Sequence, residues 1–179
     1  MSIYNVNNVT LILRHGNIVE VEAEAIVNAA NSALAGGGGV DGAIHRAAGA
    51  SIIAECRAIG GCPTGSAVAT SAGKLKARYI YHAVGPIYRR LADDARLLAS
   101  AYQACLDLAE QHQIHSIAFP ALSTGAYGYP IHEATPIALQ TVIEHVKKPT
   151  SLQRIFFVLF DEKLYTHYEK TLHTILPGS

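Results

Sequence analysis

The chain has 179 residues, half of them hydrophobic, which is enough to bury a core as a single domain over residues 1–179. Its 14 Lys and Arg cancel its 14 Asp and Glu. Without the basic excess that phosphate-backbone contacts demand, nucleic acid is an unfavoured partner, although backbone amides can still hold a small anion.

The opening MSIYNVNNVTLILRHGN has no basic segment leading into a long apolar one. It therefore reads as carrying no secretory leader, and no later run is long and apolar enough to span a bilayer. Short β-rich runs follow at Val9–Leu13, Ala25–Ala29, Ala67–Ser71, Tyr79–Val84, Ser116–Pro120 and Arg154–Phe160. Several are apolar almost throughout, as strands buried on both faces must be. The first helical pattern is alanine-rich and opens near Asp41. In DDARLLASAYQACLDLAEQH, Leu98, Ala101, Cys105 and Leu108 share a face, with Asp93 and Asp94 at the positive end. A further helix is expected through IALQTVIEHVKK, and another from about Glu162 to Leu176. Cys56, Cys62 and Cys105 show neither disulfide nor zinc spacing and are read as reduced thiols of a cytoplasmic protein. Strands alternating with helices predict an α/β sheet covered on both faces, with ligands at the strand ends.

Two of the loops at such ends carry chemistry. After Ala25–Ala29 comes NAANSALAGGGGVDGAIHRAAG. Its glycines let backbone N–H groups approach a ligand closely, and with a helix start they form a cradle suited to a diphosphate. No lysine follows to reach a terminal phosphate, which disfavours an ATPase. After Ser116–Pro120 comes ALSTGAYGYP, where Ser123, Thr124 and nearby amides are placed to grip phosphate from the other side. Read alone, that stretch is as readily an ordinary turn, with Pro130 suited to a first helical turn. Asp41 and His45 are four residues apart, on one face of a helix starting nearby. A carboxylate next to a diphosphate gains basicity through like-charge repulsion and can take a proton from water. An N-cap role for Asp41 is equally open, and both can hold. A lone helical histidine such as His45 suits positioning or packing better than catalysis.

The segments GNIVEVEAEAIVNAANSALAGGGGVDGAIHRAAG, CPTGSA, HAVGPIY, FPALSTGAYGYP and FDEKLYTHYEK, in that order, resemble a MacroD-type macrodomain. Within that family they are most similar to bacterial O-acetyl-ADP-ribose deacetylases. The resemblance covers about Gly16 to Tyr168. It implies a three-layer α/β/α sandwich with a central mixed sheet and ADP-ribose across the strand ends. It also implies that Asn31 contacts the distal ribose and that Gly38, Gly39, Val40 and Asp41 form the first phosphate and ribose loop. Ser123, Thr124, Gly125, Ala126 and Tyr127 match the second phosphate loop, and Asn17, Ile18 and Phe160 match the adenine end. Asp41 matches the proton acceptor, with Asn31 and His45 as its companions in catalysis. No metal or cofactor is implied. The chain departs from the family in having Asn17 where aspartate is usual, and Ser66 where TGHA is common.

The resulting expectation is a cytoplasmic, monomeric hydrolase of ADP-ribose esters. Its substrates would be O-acetyl-ADP-ribose or mono-ADP-ribose on Asp and Glu of ADP-ribosylated proteins. The competing expectation is a module that binds ADP-ribose without turnover.

Overall fold

Apolar strands that are buried on both faces need helices on both sides, and the computed structural model, which describes residues 1–177, has that arrangement. Residues 178 and 179, which the single-domain reading includes, lie outside the described residues. The strands are β1 (Ser2–Val6), β2 (Val9–His15), β3 (Ala25–Ala29), β4 (Ala67–Ser71), β5 (Tyr79–Ala83), β6 (Ser116–Phe119) and β7 (Arg154–Leu159). The helices are α1 (Gly39–Ala48), α2 (Ser51–Ile59), α3 (Asp93–Gln111), α4 (Ile131–Val146) and α5 (Glu162–Ile175).

The sheet runs β1-β2-β7-β6-β3-β5-β4. Its interior pairs are parallel, and the two outer pairs, β1 with β2 and β4 with β5, are antiparallel. The sheet is therefore mixed, as the resemblance implies. Side-chain alternation divides the core in two. Ile12, Ile26, Ile80 and Phe156 face α1 and α2, where they meet Ile44, Ala48 and Ile52. Leu13, Val27, Tyr81 and Phe157 face the opposite layer, with Leu98, Tyr102, Leu139 and Tyr168 of α3, α4 and α5.

Four local expectations are corrected. β1 was not anticipated; it is an edge strand in which only Tyr4 and Val6 are buried, too weak a pattern to stand out. α2 was missed as well, because only Ile52 and Cys56 of its nine residues are buried. α4 starts at Ile131, and Pro130 is its N-cap rather than part of its first turn. Asp41 is not the N-cap of α1. Gly38 holds that position, which places Asp41 third in the first turn.

Candidate functional site

Strands β6, β3 and β5 are adjacent and parallel, so the loops after them converge at one edge of the sheet. Between the loops lies a cleft of about 470 Å³. One wall consists of Ala29–Asn31 and Gly37–Asp41, the other of Ala121–Ser123 and Gly125–Tyr127, with Gly85 behind. A larger, shallower groove of about 760 Å³ lies between the start of α4 and α5. It contains neither a glycine loop nor a buried carboxylate, so the smaller cleft is the candidate site.

Two glycines show why the first wall is so bare. Gly39 has φ +57°, in the left-handed region that side chains disfavour. A Cβ on Gly42 would stand 2.6 Å from the Gly37 carbonyl oxygen, so the loop can fold this tightly onto α1 only over a bare backbone. Asn31 fastens the same loop from within. Its Nδ2 donates to the Gly36 carbonyl at 2.9 Å, and its Oδ1 accepts from the Ala35 N–H at 3.1 Å.

In the second wall, Ser123 has φ +67°, and its hydroxyl is buried with no hydrogen-bond partner among the described residues. It lies so near Gly85 that a Cβ there would come within 2.2 Å. The Thr124 hydroxyl leans back to the Ala121 carbonyl at 3.4 Å. Ser123 lines the cleft, where the sequence expects a phosphate-gripping hydroxyl, and Thr124 is not among the cleft's lining residues. The remaining donors in the loop are its amides.

Asp41 is only 6% exposed. Its Oδ1 accepts from Asn28 Nδ2 at 2.8 Å, and His45 Nε2 lies 3.2 Å from the same oxygen. The i, i+4 expectation is therefore met. Oδ2 lies on the other side, where a Cβ on Gly37 would be 3.3 Å away. Behind Asn28 is the buried His82, with Nδ1 at 3.1 Å from Asn28 Nδ2 and Nε2 at 2.9 Å from Thr70 Oγ1. Burial, with the charge of His45 alongside, pushes His82 down to about 4, so the ring is neutral at pH 7.

His45, Cys56 and His82 offer ligand atoms within 4.8 Å of one another, a grouping not legible in the sequence. Both nitrogens of His82 are already committed to Asn28 and Thr70. Burial, followed by the charges of Asp41 and Glu55, pushes the Cys56 thiol up, away from the thiolate that a metal bond requires. The cluster is better described as a hydrogen-bonded interior than as a cation site.

Asn17, Ile18 and Phe160 stand apart from this cleft, where β2 and β7 end side by side. Asn17 Oδ1 accepts from the Val19 N–H at 3.2 Å, capping a short 3-10 turn over Ile18–Glu20. Ile18 is buried beneath it, and Phe160 is 78% exposed. Sequence reasoning missed Asn28, Gly37, His82 and Gly85. Gly37 sits within the glycine run and Asn28 within NAAN, while His82 and Gly85 both lie in HAVGPIY. Membership of those motifs was the available signal.

The family model described as Macro domain matches residues 27–138. The chain is 47% identical to an O-acetyl-ADP-ribose deacetylase of Salmonella gallinarum, over 88% of this chain and 90% of that one. It is also 47% identical to the ADP-ribose glycohydrolase MACROD2 of Xenopus laevis, over 90% of this chain but only 40% of that longer protein. Among solved structures, an Oceanobacillus iheyensis macrodomain with ADP superposes at a TM-score of 0.92 with 42% identity, covering 97% of this chain and 95% of that one. No helix among the described residues is long and apolar enough to cross a membrane.

Proposed function

The chain belongs to the macro domain family, and from that premise we propose that it binds ADP-ribose and hydrolyses its esters, using Asp41 as the proton acceptor. The substrates are O-acetyl-ADP-ribose or mono-ADP-ribose on protein carboxylates. The observation that carries the reading is the pairing of two amide-rich loops with one nearly buried carboxylate, Asp41, in the same cleft.

The diphosphate lies between the loops around Gly38–Val40 and Gly125–Tyr127. It is held by backbone N–H groups and the positive end of α1, without a cationic side chain. Asn31 and Asp41 then face the distal ribose, and the adenine lies toward Asn17, Ile18 and Phe160. A water beside the ester gives its proton to Asp41 as its oxygen bonds to the attacked carbon. The departing oxygen leaves with the electron pair of the broken C–O bond and is protonated in turn. Such acid–base assistance typically contributes about 10²–10⁴-fold. His45 holds Oδ1 and so orients the carboxylate.

A non-catalytic reader is the second reading. It is supported by Asn17, whose carboxamide oxygen is engaged in capping a turn and offers adenine no charged acceptor. Incubation with defined ADP-ribose conjugates, with release followed by mass spectrometry, separates the two. Release of free ADP-ribose or of acetate supports the hydrolase. Binding to every conjugate without release supports the reader.

A further inference from the structure

Two buried polar side chains stand on neighbouring strands behind the cleft, and the reaction above gives neither a task. Asn28 of β3 and His82 of β5 are register partners in a parallel pair, and both are fully buried. Groups of this kind are costly to bury unless their bonds are made. We propose, building on the hydrolytic reading of Asp41, that Asn28 and His82 are positioning residues that lock the Asp41 carboxylate so that Oδ2 alone is left to accept the proton.

The hydrogen bonds permit only one arrangement. Asn28 Nδ2 carries two hydrogens, and it has two acceptors, Asp41 Oδ1 at 2.8 Å and His82 Nδ1 at 3.1 Å. An amide can in general be built either way round. Here the carboxylate decides, because the reversed amide would set oxygen against oxygen. His82 must therefore present a lone pair at Nδ1 and carry its hydrogen on Nε2, facing Thr70 Oγ1 at 2.9 Å. The Thr70 hydroxyl passes its own hydrogen to the Ser71 carbonyl at 2.9 Å. Donors and acceptors then alternate without conflict from β4 to α1. The neutrality of His82, held down by its burial, keeps Nδ1 an acceptor.

One atom is left out of this chain. Asn28 Oδ1 is buried with no partner among the described residues. The amide is fixed through its nitrogen on both sides, even though this leaves its own oxygen unpartnered. The result is felt at Asp41. Asn28 and His45 both occupy Oδ1, which leaves Oδ2 beside Gly37 at the cleft.

The test compares His82→Asn with His82→Gln. Asparagine carries its side-chain oxygen where Nδ1 lies and keeps an acceptor for Asn28, whereas glutamine reaches only toward the Nε2 position. With O-acetyl-ADP-ribose as substrate, His82→Gln should lower kcat roughly tenfold to a hundredfold, since misplacing a reacting group by about 1 Å can cost on the order of 10²-fold. KM should stay within about twofold, and His82→Asn should recover most of the rate. A folded His82→Gln protein with the parental kcat, or equal rates for the two variants, overturns the proposal. Crystal structures of the parent and of Asn28→Ala supply a readout independent of turnover. A carboxylate of Asp41 that leaves its parental rotamer upholds the lock, and one that does not move overturns it. If the parent itself hydrolyses no conjugate, the hydrolytic reading fails, and the Asp41 rotamer still decides whether Asn28 positions it.

Discussion

Replacing Asp41 separates what its carboxylate does for the fold from what it does for the reaction. In Asp41→Ala, the buried N–H of Asn28 loses its acceptor, at about 1–3 kcal/mol for an orphaned buried donor. The first turn of α1 also loses its acidic residue, worth about 0.3–1 kcal/mol. For a chain of this size the combined loss lowers Tm by roughly 3–15 °C. Asp41→Asn behaves differently. With its amide oxygen in the place of Oδ1 it still accepts from Asn28, and its nitrogen takes the place of Oδ2 beside Gly37. That variant loses about 1 kcal/mol or less, yet it has no base. Both variants should hydrolyse ADP-ribose esters roughly 10²–10⁴-fold more slowly. ADP-ribose affinity should hold or rise, because removing the charge relieves repulsion with the diphosphate. The assay pairs ester release by mass spectrometry with calorimetric binding and a thermal melt of each protein. An Asp41→Asn protein that hydrolyses at the parental rate would refute the assignment. Water activated by the substrate's own phosphate would then be the better mechanism.

Gly125→Val should fold normally, because its φ lies outside the left-handed region and an added Cβ meets no atom within 4 Å. The new side chain would stand in the cleft, so ADP-ribose binding measured by calorimetry should fall at least tenfold; unchanged affinity would mean the loop is only a turn. Gly42→Ala adds about 1 kcal/mol of helix propensity but drives a Cβ to within 2.6 Å of the Gly37 carbonyl. Its melt should fall and its binding weaken together, and a Tm above the parent's would show that the loop yields freely. Asn17→Asp should keep the cap on the 3-10 turn and tighten ADP-ribose binding by about 0.5–1.5 kcal/mol, as a charged acceptor for the adenine amino group. Weaker calorimetric binding would show a pocket organised around the amide.

The legible parts of the fold were those where one periodicity dominated. β3 and β4 were placed to the residue, and α3 and α5 to within one residue at each end, because continuous apolar runs and long amphipathic patterns leave little choice of period. β1 was hidden because it is an edge strand with only two buried positions, Tyr4 and Val6, and an apolar Ile3 on its exposed side blurs the alternation. For α4, the sequence reads Pro130 into a first helical turn rather than as the cap before it, and the stretch up to Ile137 goes unassigned. Pro136 lies inside the helix there, and a proline ordinarily argues against a helical interior. Here the Thr135 hydroxyl bonds back to the Ile131 carbonyl at 2.7 Å, a side-chain contact in the same stretch that the sequence alone does not show.

The site divides along a similar line. Glycine loops and a carboxylate four residues from a histidine are local features, and local features can be read from a string. The bonds that orient the carboxylate are not local, because Asn28, Thr70 and His82 meet only once β4 and β5 have been laid beside β3. Read singly, each is a polar residue in an apolar strand, and alternation alone sends it to the same sheet face as its neighbours two places away. The register adds the missing fact that Asn28 stands opposite His82, with Asp41 above both. No Lys or Arg lines the cleft that the proposed function gives to a diphosphate, so its carboxylate is fixed by polar neighbours. His45 reaches Oδ1 from the same helix, and Asn28 reaches it from the sheet interior beneath, where a neutral amide meets little competition from water.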